Sequence, residues 1–181
     1  MIPSFAKKDL KMFYRYLDKS KVYFEFGSGG STYQASIRNI KTYSVESDIT
    51  WINKLKNVRS IFNEMDTLPN TWGSPGINAT DKQKINYSDS ILQLTQYEQK
   101  QIQLILIDGR FRVACCLKSH SVMSSNCLIA FDDFLNRNKY HIVLNYFDIV
   151  EKTSDERMVI LRKKNVTIPP ELIKQYELNK A

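Results

Sequence analysis

Apolar residues recur along this chain with two different periods. From Phe5 to Lys19, the side chains of Leu10, Phe13, Tyr14 and Leu17 fall on one face at helical spacing, and Ser4 stands where an N-cap would. Val22-Tyr23-Phe24-Glu25-Phe26 then reads as a buried strand, cut off by a turn rich in glycine and serine. The two patterns go on alternating: a short helix over 32–38, a strand over 42–46, a helix over 49–56 and a strand over 58–62. Residues 65–80 are rich in Pro, Gly, Asn and Trp and predict a long loop, of the kind that commonly carries function in a compact domain. A helix over 84–96 precedes Leu104-Ile105-Leu106-Ile107, apolar throughout as a central parallel strand is. A helix over 111–120, a strand over 127–131 and a helix over 139–146 follow. Strands over 148–152 and 157–162 flank a turn at Thr153-Ser154-Asp155-Glu156, and a peripheral helix follows Pro169. Strands alternating with helices predict an α/β fold on a mostly parallel sheet, and the late hairpin predicts an antiparallel edge.

The length of 181 residues suits one domain with a real core: an N-terminal helix over 5–19, a body over about 20–164 and a tail over 165–181. An apolar content of 43% and a charged content of 25% are those of a soluble globular protein. No apolar run is long enough for a membrane span, and the N-terminus does not read as a secretory leader. Three cysteines, two of them adjacent (Cys115, Cys116), make a poor disulfide framework and lack zinc spacing, so they read as buried thiols of a reducing, cytoplasmic setting. The net charge of +7 raises the question of a polyanionic partner. The basic residues are scattered, in groups such as Lys7/Lys8, Lys54/Lys56 and Arg162/Lys163/Lys164, which describes a solvated basic surface better than a nucleic-acid patch.

The loop Gly27-Ser28-Gly29-Gly30 follows the first strand, where ligands of open α/β sheets bind. A P-loop would end in Gly-Lys-Ser/Thr, and this one continues Gly30-Ser31-Thr32 without a lysine. A dinucleotide fingerprint would place a third glycine where Thr32 stands. Glu25, two residues before the first glycine, would repel a pyrophosphate but suits a ligand with an ammonium and a sulfonium. Glu46 closes the second strand about 20 residues further on, where an acid can accept hydrogen bonds from ribose hydroxyls. The order strand–Glu-x-Gly-x-Gly-x-Ser–helix–strand–Glu resembles the class I S-adenosylmethionine-dependent methyltransferase superfamily, from Val22 to Lys164. The resemblance implies a Rossmann-like, seven-stranded sheet with an antiparallel last strand. It also implies S-adenosylmethionine as cofactor: Glu25, Gly27, Ser28, Gly29, Gly30 and Ser31 at its methionine part, Glu46 and Ser47 at its ribose, Asp66 (or Glu64) near its adenine, and Asp108 beside it.

Asp108-Gly109-Arg110-Phe111-Arg112 follows the strongest strand and should point into the same cleft. Amine-methylating relatives carry Asn/Asp-Pro-Pro-aromatic here, so the sequence argues against methylation of a planar nitrogen. Asp108 with Asp132-Asp133 is similar to the metal site of catechol-type and sugar O-methyltransferases, which implies a Mg²⁺ held by Asp108, Asp132 and Asp133. The residues by themselves leave another reading open, with Asp132 or Asp133 as a cap and Asp108 as a lone general base. The chain also resembles methyltransferase-like proteins bearing Asp-Gly-Arg-Phe-Arg, some linked to glycan modification, in which Asp133 would match the acid of a His-Asp pair. Arg110 and Arg112 open a helix, where the macrodipole disfavours a cation; each either meets an anionic substrate group or Asp108, or forms an internal ion pair. His141 is either a proton acceptor for the cleft or a structural histidine, and Trp72-Gly73-Ser74-Pro75 either stacks on a ligand or packs the loop. The expected activity is O-methylation of a hydroxyl on a small molecule or glycan. RNA methylation, suggested by the charge, and a non-catalytic cofactor-binding scaffold are the alternatives.

Overall fold

The computed structural model describes residues 1–69, 71, 73–154 and 157–179. Seven strands form one sheet: β1 (Val22–Phe26), β2 (Lys41–Glu46), β3 (Arg59–Phe62), β4 (Leu104–Ile107), β5 (Leu128–Phe131), β6 (Phe147–Lys152) and β7 (Val159–Lys163). Their order is β3-β2-β1-β4-β5-β7-β6. The first five are parallel, and β7 runs antiparallel to both β5 and β6. The antiparallel strand is therefore next to the edge rather than at it, because β6 takes the outer place and turns back to the common direction.

Among the described residues, seven α-helices surround the sheet: α1 (Lys7–Leu17), α2 (Gly30–Ile37), α3 (Ile49–Ile52), α4 (Asp81–Asp89), α5 (Gln96–Gln101), α6 (Arg112–Val122) and α7 (Pro170–Glu177). Strand residues alternate between the two faces, as the pleat requires. Tyr23, Leu104, Leu106, Ala130 and Ile160 pack with Met12, Phe13 and Leu17 of α1 and Ala35 of α2. Phe24, Phe26, Ile105, Ile107, Ile129 and Phe131 form the opposite core with residues of α4 and α6. The apolar run in β4 thus feeds both cores at once.

Several helix bounds differ from the pattern-based expectation, each for a local reason. Ala6, not Ser4, is the N-cap of α1, with no side-chain cap. The helix expected over 49–56 stops after one turn at Ile52, and Asn57 takes a left-handed conformation (φ 57°). The helix expected over 84–96 is two helices, because Thr80 with Gln83 and Thr95 with Glu98 each build a capping box, joined through a 3-10 turn at Ser90–Gln93. The segment Asn138–Asn145 is 3-10 rather than α. The helix after Pro169 is α7, and its Glu177, with Asp89 of α4, pairs with the buried Lys118 of α6.

Candidate active site

Strand order reverses between β1 and β4, whose connections leave in opposite directions across the sheet. The crevice beyond their carboxyl ends is where open α/β sheets bind ligands. A cavity of about 920 Å³ opens there, lined by Gly27–Ser31, Glu46–Asp48, Thr67–Pro69, Tyr87, Asp108–Arg110, Arg112, Asp132, Asp133 and several further residues.

The glycine loop is held by its backbone. Gly27 sits at φ 99°, and a Cβ there would lie 2.8 Å from Cα of Gly109. A Cβ on Gly109 would in turn meet the Tyr87 hydroxyl and the Phe26 carbonyl. The loops after β1 and β4 therefore touch through paired glycines. Gly30 lies directly under Ile2 and Pro3, so the segment Met1–Ser4 roofs part of the loop. Gly29 has nothing within 4 Å of where a side chain would begin.

Glu25 does not face the cleft openly. It is fully buried beneath α2, and its carboxyl accepts from the hydroxyls of Tyr23 (2.6 Å), Ser31 (2.8 Å), Ser44 (2.8 Å) and Thr32. Burial raises its pKa to about 7, against the four hydroxyl donors, which lower it. Through Ser31 and Thr32 it fastens the first turn of α2 to the sheet, which makes it a support of the loop rather than part of its surface. Glu46 lines the cleft. Its carboxyl accepts main-chain N–H groups from Ser28 (3.0 Å), Ser47 (2.7 Å) and Asp48 (2.9 Å), tying the glycine loop to the end of β2. Burial raises its pKa, opposed by those amides. Asp66 is not brought into the lining: its carboxylate accepts from the Asn78 N–H (2.9 Å) and its carbonyl from the Gly76 N–H (2.8 Å), so it shapes its own loop. Trp72 lies outside the described residues, as do Asp155 and Glu156 of the expected turn.

At the other end, Phe111 adopts a left-handed conformation (φ 52°) and starts α6. This turns Arg112 back toward the strand ends. Its guanidinium donates to the carbonyls of Gly109 (3.0 Å), Asp108 (3.1 Å) and Asp132 (2.7 Å), and pairs with the carboxylates of Asp108 (3.1 Å) and Asp133 (3.3 Å). Arg112 is thus the buried tie between the ends of β4 and β5, which accounts for a cation at a helix start. Arg110 reaches the long loop, donating to the Thr71 carbonyl at 2.6 Å. Asp133, itself left-handed (φ 59°), also pairs with Arg137 (2.7 Å) and Arg157 (3.0 Å). Asp132 is buried, and its Oδ1 has no hydrogen-bond partner among the described residues. Burial raises the Asp108 carboxyl to about 8, opposed by Arg112 and reinforced by Asp132 and Asp133; burial raises Asp132 as well.

The expected Mg²⁺ site is not formed. Three guanidiniums already surround Asp133 and Arg112 also holds Asp108, so positive charge occupies the position a divalent cation would need. Among the described residues no group of three acidic, histidine or cysteine side chains is arranged to hold a metal. His141 does not line the cleft either: its Nε2 lies 3.0 Å from the Phe134 carbonyl and its ring packs on Phe134. Tyr87, Arg137, Arg157 and Met1–Ser4 line the cleft without having been singled out from the sequence. Their segments carry no local motif, and only the return of β7 beside β5 brings Arg157 there.

Comparison with solved structures agrees with this fold. A methyltransferase-like protein from Silicibacter pomeroyi superposes with a TM-score of 0.78 at 21% identity, covering 96% of this chain and 94% of that one. A candidate methyltransferase from Streptococcus mutans, solved in complex with SAH, gives a TM-score of 0.53 at 8% identity over 88% and 99% of the two chains. No protein-family model and no curated protein sequence matches the chain. The chain shares the Rossmann-like, seven-stranded α/β fold of these neighbours. No helix among the described residues is long and apolar enough to cross a membrane.

Proposed function

We propose that the protein is an S-adenosylmethionine-dependent methyltransferase that O-methylates a hydroxyl of a small molecule or glycan. The observation that carries this reading is the polarity of the cleft. Its end at β1 and β2 presents Ser28, Ser31, Glu46, Ser47 and Asp48 around an open glycine loop, and its end at β4 and β5 presents Asp108 among arginines. The first half suits a cationic, hydroxyl-bearing ligand and is wrong for a diphosphate, which would meet two carboxylates there. Glu46 and Ser47 would hold that ligand, and Gly29 leaves it room. When bound, S-adenosylmethionine supplies an electrophilic methyl group.

Asp108 then has one task, to accept the proton of the acceptor hydroxyl. Its raised pKa makes its ionised form a stronger base than an ordinary carboxylate. Asp-Gly-Arg-Phe in place of a proline-rich motif favours oxygen over a planar nitrogen as acceptor. Calorimetric titration with S-adenosylmethionine, SAH and NAD tests the reading. One site per chain for the first two, unaffected by excess chelator, weakened in Glu46→Ala and absent for NAD, is the expected result. Binding of NAD instead, or of neither methyl-donor species, overturns it.

A further inference from the structure

We propose that the acceptor carries an oxyanion, a carboxylate or a phosphate, bound by the guanidiniums of Arg137 and Arg157 next to Asp108. The inference depends on the methyl-donor reading only in calling this ligand the acceptor. It begins with the order of charges in depth. Asp132 and Asp133 are buried, with side chains 6% and 8% exposed, whereas Arg137 and Arg157 keep 39% and 36% of theirs exposed, and all four line the cleft. The acids therefore lie behind and the arginines in front, so an incoming molecule meets guanidinium first.

Asp133 holds those two arginines in place. One of its oxygens takes Arg112 and Arg137, and the other takes Arg157. Each front arginine spends one terminal nitrogen on Asp133. Arg137 gives another to the Tyr140 hydroxyl (3.1 Å), and Arg157 gives another to the Ser4 carbonyl (3.3 Å). A guanidinium has five N–H donors, so N–H groups remain on both for a ligand. Orientation by a buried carboxylate lowers the entropy cost of forming a fork onto a planar or tetrahedral oxyanion.

The charge count points the same way. Arg110, Arg112, Arg137 and Arg157 stand against Asp108, Asp132 and Asp133, leaving this end of the cleft cationic. A neutral acceptor seated here would return only neutral hydrogen bonds to two guanidiniums, where an oxyanion returns stronger charge-assisted ones. The position of Arg157 further restricts the ligand. It pairs with Asp133, which shares the Arg112 guanidinium with Asp108, so an oxyanion there would sit close to the hydroxyl that is methylated. Hydroxy acids, uronic acids and sugar phosphates have that arrangement.

The test uses the full chain, with and without saturating SAH, and follows the arginine Nε–H signals by nitrogen-15 NMR. Inorganic phosphate, acetate and glycerol are the probes. Saturable shifts of the Arg137 and Arg157 signals with phosphate or acetate, and none with glycerol, are expected; whichever ion binds tighter identifies the oxyanion. Arg137→Gln and Arg157→Gln should each weaken that binding by about tenfold or more, and Arg157→Lys by less, since it keeps the charge but loses the fork. Melting temperatures confirm that each variant is folded. If neither ion moves the two signals, or if both Gln variants bind as the parent does, the proposal is wrong. Oxyanion binding in a protein that does not take up SAH leaves this subsite standing and removes the methyl-donor reading. SAH uptake with no oxyanion binding does the reverse.

Discussion

Burial raises the proton affinities of Glu25 and Asp108 in two different settings. Glu25 is sealed under α2 with four hydroxyl donors and is raised to about 7, from 4.5 in an exposed chain. A carboxyl raised on folding stabilises the folded state below its unfolded pKa and loses that contribution as pH climbs through the folded value. Between about pH 4.5 and 7 the loss should be on the order of 3 kcal/mol. Urea unfolding at pH 5 and pH 8 should therefore show a steeper fall for the parent protein than for Glu25→Gln, which cannot titrate; equal slopes would contradict this. Asp108 has its raised carboxyl at the cleft, where the role proposed for it is proton acceptance rather than loop anchoring. Only its ionised form can accept a proton, so methyl transfer should rise with pH through about 8. Asp108→Asn should lower the transfer rate by about 10²–10⁴ while SAH binding persists. A rate that is flat across that range, or an active Asn variant, would place the base elsewhere.

The loops after β1 and β4 work as a pair, and their glycines have separate duties. At Gly27 a side chain is excluded twice, by φ 99° and by the backbone of Gly109. Gly27→Ala should cost about 1–3 kcal/mol and part the two loops, with loss of donor binding. Gly29 has an extended φ of 179° and open space around it. Gly29→Ala should leave stability within about 0.5 kcal/mol yet still weaken S-adenosylmethionine binding by crowding the cleft. Thermal unfolding and calorimetry on the two variants separate these duties; equal damage to stability would refute the distinction. The course of these loops was legible in the sequence, because a loop between two strands places its residues in order and the apolar pattern gives the strand ends. The split of the 84–96 helix was legible too, in Thr80 with Gln83 and Thr95 with Glu98, but periodicity alone ran across it. Asp66, His141 and the metal set were misplaced because residue type and strand position say nothing about prior partners. Asn78 and Gly76 occupy Asp66, the Phe134 carbonyl meets His141, and three arginines surround Asp133.

Over the whole molecule, the Arg157 end of the cleft is assembled by contacts between the first helix and the last hairpin. Asp9 of α1 is fully buried and accepts from the Thr153 hydroxyl (2.5 Å), the Arg157 N–H (3.1 Å) and the Met158 N–H (3.2 Å). Arg157 in turn reaches Ser4, in the segment that roofs Gly30. These contacts join residues near the start of the chain to residues near 157, a relation that periodicity and spacing do not encode. Asp9 ends up inside because β7 turns back beside β5 and presents main-chain N–H groups at the level of α1. Replacing Asp9 by Ala would leave two of those buried N–H groups without an acceptor, at about 1–3 kcal/mol for each. The disturbance should be directional. Amide hydrogen exchange should accelerate around residues 153–158 and stay slow in β1, and the Arg157 side chain should lose its fixed place beside Asp133. Oxyanion binding should then weaken more than SAH binding, since Ser28 and Gly29 of the glycine loop are held by Glu46 and Thr32 rather than by Asp9. Uniform exchange across the sheet, or equal loss at both ends of the cleft, would mean that Asp9 supports only the global fold and not the acceptor end.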